Sequence, residues 1–131
     1  MNWDSWTLQR VLFLFTGLAF IGTAIQVTLF HYRQNFRHWA MWLPVIATPI
    51  LGVLALLICF YNSAALRTIW AVLLSVAAVV GIGGFTLHFV GVGERVDGYK
   101  LNNFLIGPPV MLPLMVTAAS LLGLIALYWR W

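Results

Sequence analysis

Apolar side chains fill four long stretches of this chain, and every charge lies outside them. Val11 to Phe30 is free of charge, with Thr16, Thr23, Gln26 and Thr28 as its main polar groups. Trp39 to Tyr61, Thr68 to Gly93 and Phe104 to Trp129 follow the same pattern, and His88 stands alone inside the third run. About 20 mostly apolar residues in a helix cross the hydrocarbon core of a bilayer, so each run is long enough to span. Barrel strands would alternate with period two over about ten residues, and these runs do not alternate. The pattern predicts an all-α integral membrane protein, one domain over 1–131, with four transmembrane helices at about 11–30, 39–61, 68–93 and 104–129 forming a small bundle. The first run is expected to be retained as a helix. Arg10 is the only basic residue before it, and no clear small-residue cleavage site follows.

Prolines modify two of the four helices. Pro44 and Pro49 lie in the second run, and Pro108, Pro109 and Pro113 in the fourth. Proline has no N–H and clashes with the preceding turn, so helices 2 and 4 are expected to be proline-kinked. A re-entrant entry, with the helix proper starting near Pro108, is the alternative for the fourth. Asn102 or Asn103 is expected to cap that helix. Broken backbone at membrane depth is tolerated where it is buried in protein or lines a cavity.

Composition agrees with the pattern. Of 131 residues, 63% are hydrophobic and 8% charged, against about 25% charged in soluble domains. The net charge of +4 is spread singly over both faces instead of forming a patch, which excludes nucleic-acid binding. Cys59, the one cysteine, cannot form an intramolecular disulfide and reads as a small buried hydrophobe.

Four crossings put the connections 31–38 and 94–103 on one face, and both termini and 62–67 on the other. Arg33, Arg37, Arg95 and Lys100 lie on the two-loop face, and Arg10, Arg67 and Arg130 on the terminal face. Under the positive-inside rule, this small excess tips the 31–38 and 94–103 loops towards the cytoplasm. Aromatic anchors mark both headgroup levels, with Trp3, Trp6, Tyr61, Trp70, Tyr128, Trp129 and Trp131 on the terminal face. Tyr32, Trp39, Trp42 and Tyr99 mark the other.

The candidate chemistry gathers on the two-loop face, where His31, His38, His88, Glu94 and Asp97 all fall. The opposite half reads as plain hydrophobic scaffold. His88 is placed about five residues before its helix ends, roughly 7–8 Å beneath the interface. Ionisable groups at such depth face the bundle interior or a polar cavity. Two uses follow: a hydrogen bond to a carbonyl or hydroxyl of a neighbouring helix, or a ligand role towards haem b or a quinone. Gly81, Gly84, His88 and Gly91 share one helical face, leaving a groove for a close backbone or a flat ring. Gly84 four residues before His88 resembles the small-x-x-x-His pattern of light-harvesting polypeptides. Those usually cross the membrane once, which sets that family aside. His31 and His38 are the candidate second ligands, although the sequence places both at helix ends, shallower than His88. No H-x-x-x-H, H-E-x-x-H or cysteine pair occurs, so no metal site is expected.

Arg33 and Arg37 are expected to meet lipid phosphates, or the acids Glu94 and Asp97. In the longer loop, Glu94, Arg95, Asp97 and Lys100 can neutralise one another or dock a partner. No nucleophile–base pair, phosphate loop or deep carboxylate dyad appears, so no catalytic activity of its own is expected. The function classes that remain are a small non-catalytic subunit or assembly partner of a larger membrane complex, a redox anchor with haem b or quinone near His88, and, third, a small transporter. The expected partners are the lipid bilayer and other membrane subunits or a second copy of the chain.

Overall fold

The computed structural model describes residues 3–129; Arg130 and Trp131, expected as a charge and an anchor of the terminal face, lie outside the described residues. Helix α1 spans Leu8–Arg33, α2 Trp42–Phe60, α3 Ala64–Arg95, α4 Leu101–Ile106 and α5 Met111–Tyr128. A single 3-10 turn, Trp39–Met41, leads into α2. Among the described residues, four segments are long and apolar enough to cross a membrane: α1, Trp39–Phe60, α3 and α5. The chain is a four-helix integral membrane protein.

Lengths differ in an informative way. The 18 residues of α5 rise about 27 Å, just enough to cross, whereas the 32 of α3 rise about 48 Å. At its C-terminal end α3 is met by the short helix α4, which folds against it.

The fourth apolar run is broken outright instead of kinked. Chain order Gly107-Pro108-Pro109 dictates this, because a residue preceding proline is pushed out of the helical region. Gly107 accordingly adopts φ −80°, ψ −167° and closes α4 with its N–H on the Asn103 carbonyl. Pro113 sits in the first turn of α5, where its missing N–H costs no helical bond. In α2, by contrast, Pro49 lies within a continuous helix. Neither asparagine caps the run as expected. Lys100 is the N-cap of α4 and gives no side-chain bond, while buried Asn103 donates from Nδ2 to the Gly98 carbonyl at 2.6 Å and pins the loop.

Helix α1 packs chiefly on α2 and α3 on α5, while α1 against α5 and α2 against α3 close the ring. Large core side chains concentrate in the terminal half. Phe13, Ile58, Trp70 and Leu74 are fully buried there, and Phe13 meets Trp70 edge-on at 5.5 Å. That half also holds a polar network that the sequence pattern hides. Trp3 Nε1 donates to the Ile58 carbonyl at 2.9 Å, Arg10 Nε to Cys59 at 2.9 Å and Gln9 Nε2 to Ala126 at 2.7 Å. Those carbonyls lie in the last turns of α2 and α5, where backbone acceptors lack helical partners and a cation is favoured. The N-terminal segment therefore closes the end of its own bundle.

Candidate functional site

On the other half, glycines of α3 face prolines of the broken run. A Cβ at Gly84 would stand 3.1 Å from Pro113 Cβ, and one at Gly91 3.2 Å from Pro108 Cγ. At Gly81 it would meet the Pro113 carbonyl at 2.8 Å. The small residues thus let α5 and the 107–110 break lie directly on α3. A flat ring on the Gly84 face would have to displace α5.

His88 completes this face. Its Nδ1 lies 3.0 Å from the Pro109 carbonyl oxygen. A carbonyl only accepts, so Nδ1 carries the proton, and in the neutral ring Nε2 is left with the lone pair. The imidazole thus anchors the break in the fourth run to α3.

His31 is the second member of the cluster. It lies inside α1, not in the connection after it, and is 6% exposed. Its ring centroid is 6.3 Å from that of His88, the planes nearly perpendicular at 78°. Buried His31 Nδ1 has no hydrogen-bond partner, and most buried polar atoms have one. His38 stays apart. It is exposed and accepts the Ala40 N–H on Nδ1, starting the 3-10 turn.

Beside the histidine pair opens a cavity of about 510 Å3. Arg33 and Arg37 reach it from the end of α1 and the connection beyond, and Arg95 from the end of α3. Gln34 stands between them: its Oε1 accepts from Arg37 at 3.0 Å and from Arg95 at 3.4 Å. Leu105, Ile106 and Pro108 supply apolar wall opposite. Glu94, Asp97 and Lys100 are exposed and do not line it.

No family model, curated protein or solved structure matches the chain. The geometry is therefore the whole basis for a functional reading.

The structure brings His31, His88 and Gly84 into one region, and Arg33, Arg37 and Arg95 into the adjoining one. Among the described residues, no group of three His, Cys, Asp or Glu side chains is placed to hold a metal ion. Two features escape the sequence reading. Gln34, the shared acceptor, looks there like an ordinary loop residue. An aromatic stack of Phe89 on Tyr99, centroids 4.9 Å apart, with Phe104 5.7 Å from Phe89, fastens α4 to α3. Only the alternation of aromatic residues across the glycine-rich loop hints at it.

Connection 34–41 is held just as firmly. Asn35 and Phe36 both take positive φ, 55° and 46°. A bulky residue rarely adopts that region. Phe36 is kept there by stacking on Trp42, centroids 4.2 Å apart, and by its N–H on the His31 carbonyl. Arg33, Gln34 and Arg37 are thereby carried on an ordered corner.

Proposed function

We propose that the protein is a small non-catalytic membrane subunit, an assembly partner of a larger membrane complex. The observation that carries this reading is how the inward polar groups are spent. Trp3, Gln9, Arg10, Trp70, His88 and Thr117 all bind backbone carbonyls of other helices or segments of the same chain. Chemistry is thus invested in holding a compact body, while the outside of the spanning helices is mostly apolar, with Gln26 of α1 its main polar exception. On that outside, Gly22 of α1 and Gly83 of α3 have nothing within 4 Å of where a Cβ would stand. Such notches let a neighbouring helix approach closely.

Gly83→Leu tests the reading. A Cβ at this position has nothing within 4 Å, and leucine restores about 0.8 kcal/mol of helix propensity, so the fold should be unharmed or slightly stabilised. After gentle extraction from native membranes, the wild type should migrate with stoichiometric larger subunits on native gels. The variant should lose most of that association. A wild-type protein that migrates alone sinks the proposal.

One observation favours a second reading, a redox anchor. His31 and His88 form a pair from two helices, with one buried nitrogen unpartnered and one lone pair left over. The free lone pair of His88 Nε2 beside the unpartnered His31 Nδ1, a donor in one tautomer, suits the head of a quinol, and two imidazoles suit haem b. On this reading His88→Leu abolishes a reduced-minus-oxidised haem spectrum or bound quinone in the purified protein. On the subunit reading the same variant loses only about 1 kcal/mol, the worth of one interhelical hydrogen bond.

A further inference from the structure

We infer that the arginine cavity is a binding site for a phosphate-bearing amphiphile, and that its occupant is an anionic phospholipid. The volume of about 510 Å3 lies in the range of small-ligand sites, about 300–1,000 Å3. Three guanidinium groups from separate points of the chain border it. Arg33 is the last residue of α1 and Arg95 the last of α3, so both stand where apolar helix gives way to headgroups. Guanidinium forks match phosphate oxygens two at a time.

Charge compensation within the chain is missing. Among the described residues, Arg37 and Arg95 share one neutral acceptor, Oε1 of the Gln34 side chain, and none of the three acids borders the cavity. A single oxygen shared by two cations orients them without neutralising them. An anion entering the cavity supplies what is lacking. The remaining wall decides what kind of anion. Phe30, Leu105, Ile106 and Pro108 line it, and Leu105 and Ile106 are 76% and 74% exposed. Such a wall gains nothing from a free ion but accommodates the glycerol and first methylenes of a lipid chain.

The site is independent of any partner subunit, so failure of the association test leaves it standing. The test titrates the full-length detergent-solubilised protein with short-chain phosphatidylglycerol, short-chain phosphatidylcholine and inorganic phosphate, with binding read by native mass spectrometry. One phosphatidylglycerol should bind in preference to phosphatidylcholine, and inorganic phosphate should not displace it. Removing a charge-assisted bond with Arg37→Gln or Arg95→Gln should weaken binding by about tenfold or more. Lys100→Gln removes the same charge from the same face but away from the cavity, and should change binding by less than about twofold. Gln34→Leu keeps every charge yet frees two arginines, and should also weaken binding. These side chains are exposed or half-buried, and unchanged thermal unfolding will confirm that the variants fold. Equal loss with Lys100→Gln would overturn the site as diffuse attraction. Equal binding of phosphatidylcholine, which carries the same phosphate but no net charge, overturns the anionic assignment. Displacement by inorganic phosphate at similar concentration overturns the lipid assignment.

Discussion

Trp70→Ala should be among the most destabilising single changes in this protein, at a cost of about 3 kcal/mol. Large-to-small changes at a buried tryptophan typically cost about 3–5 kcal/mol in soluble proteins. Part of that is transfer from water, which is absent when the unfolded helices remain in lipid. The packing part persists, because a void has no partner atoms on one side. Trp70 is fully buried, meets Phe13 of α1 edge-on at 5.5 Å and donates Nε1–H to the Leu51 carbonyl of α2 at 3.0 Å. On α5, a Cβ at Gly123 would stand 3.0 Å from its ring. One side chain thus touches all three other spanning helices. Unfolding by denaturing detergent, followed by circular dichroism, should show the loss. Trp70→Phe, which keeps most of the ring volume, should forfeit nearer 1 kcal/mol. Trp39→Ala, at a residue 73% exposed, should change little; equal effects at positions 39 and 70 would refute this account of the core.

Trp70 also shows where sequence reading stopped. Its position beside a helix start marks it as an interfacial anchor, yet it is the centre of the core. An aromatic residue at a helix end can face the lipid headgroups or the neighbouring helices, and composition cannot distinguish these. The spans themselves were legible, because a bilayer imposes length and apolarity together. The break at Gly107-Pro108-Pro109 was half legible: the prolines signalled a disturbance, and whether α4 would form depended on Phe89, Tyr99 and Phe104 stacking across a loop.

The two-loop half illustrates the same division. The gathering of histidines and arginines there follows from topology alone, once four crossings are counted. Depth does not. His31 sits beside His88 because α1 continues to Arg33, beyond the end of the apolar run at Phe30. A polar turn that extends a helix past its hydrophobic stretch has no signature in hydropathy. The terminal half reads as plain scaffold, since Gln9 and Arg10 give no sign in the sequence that they cap the ends of α2 and α5. Those contacts join residues far apart in the chain, and only the assembled bundle brings them together.

Gly81→Leu should produce the other large effect, and it links packing to the candidate sites. A Cβ alone at position 81 would lie 2.8 Å from the Pro113 carbonyl, closer than carbon and oxygen tolerate. The whole leucine side chain must therefore push α5 off α3. Overpacking costs about 1–3 kcal/mol and sometimes more, and backbone on the far side cannot yield as a flexible side chain would. The gain in helix propensity, about 0.8 kcal/mol, is too small to offset this, so the net loss is expected at about 2 kcal/mol or more. Distant consequences follow along the same face. Thr117 Oγ1 donates to the Ala78 carbonyl at 3.0 Å, and His88 holds Pro109 two turns further on; both bonds require α5 to stay close. Prising the helices apart releases the 107–110 break, and with it the apolar wall opposite the three arginines. Gly81→Leu should therefore weaken phosphatidylglycerol binding without touching a residue of the cavity, whereas Gly83→Leu, two positions away and facing outward, should leave both stability and lipid binding intact. Equal behaviour of the two variants would show that α3 is not seated on α5 through its glycine face.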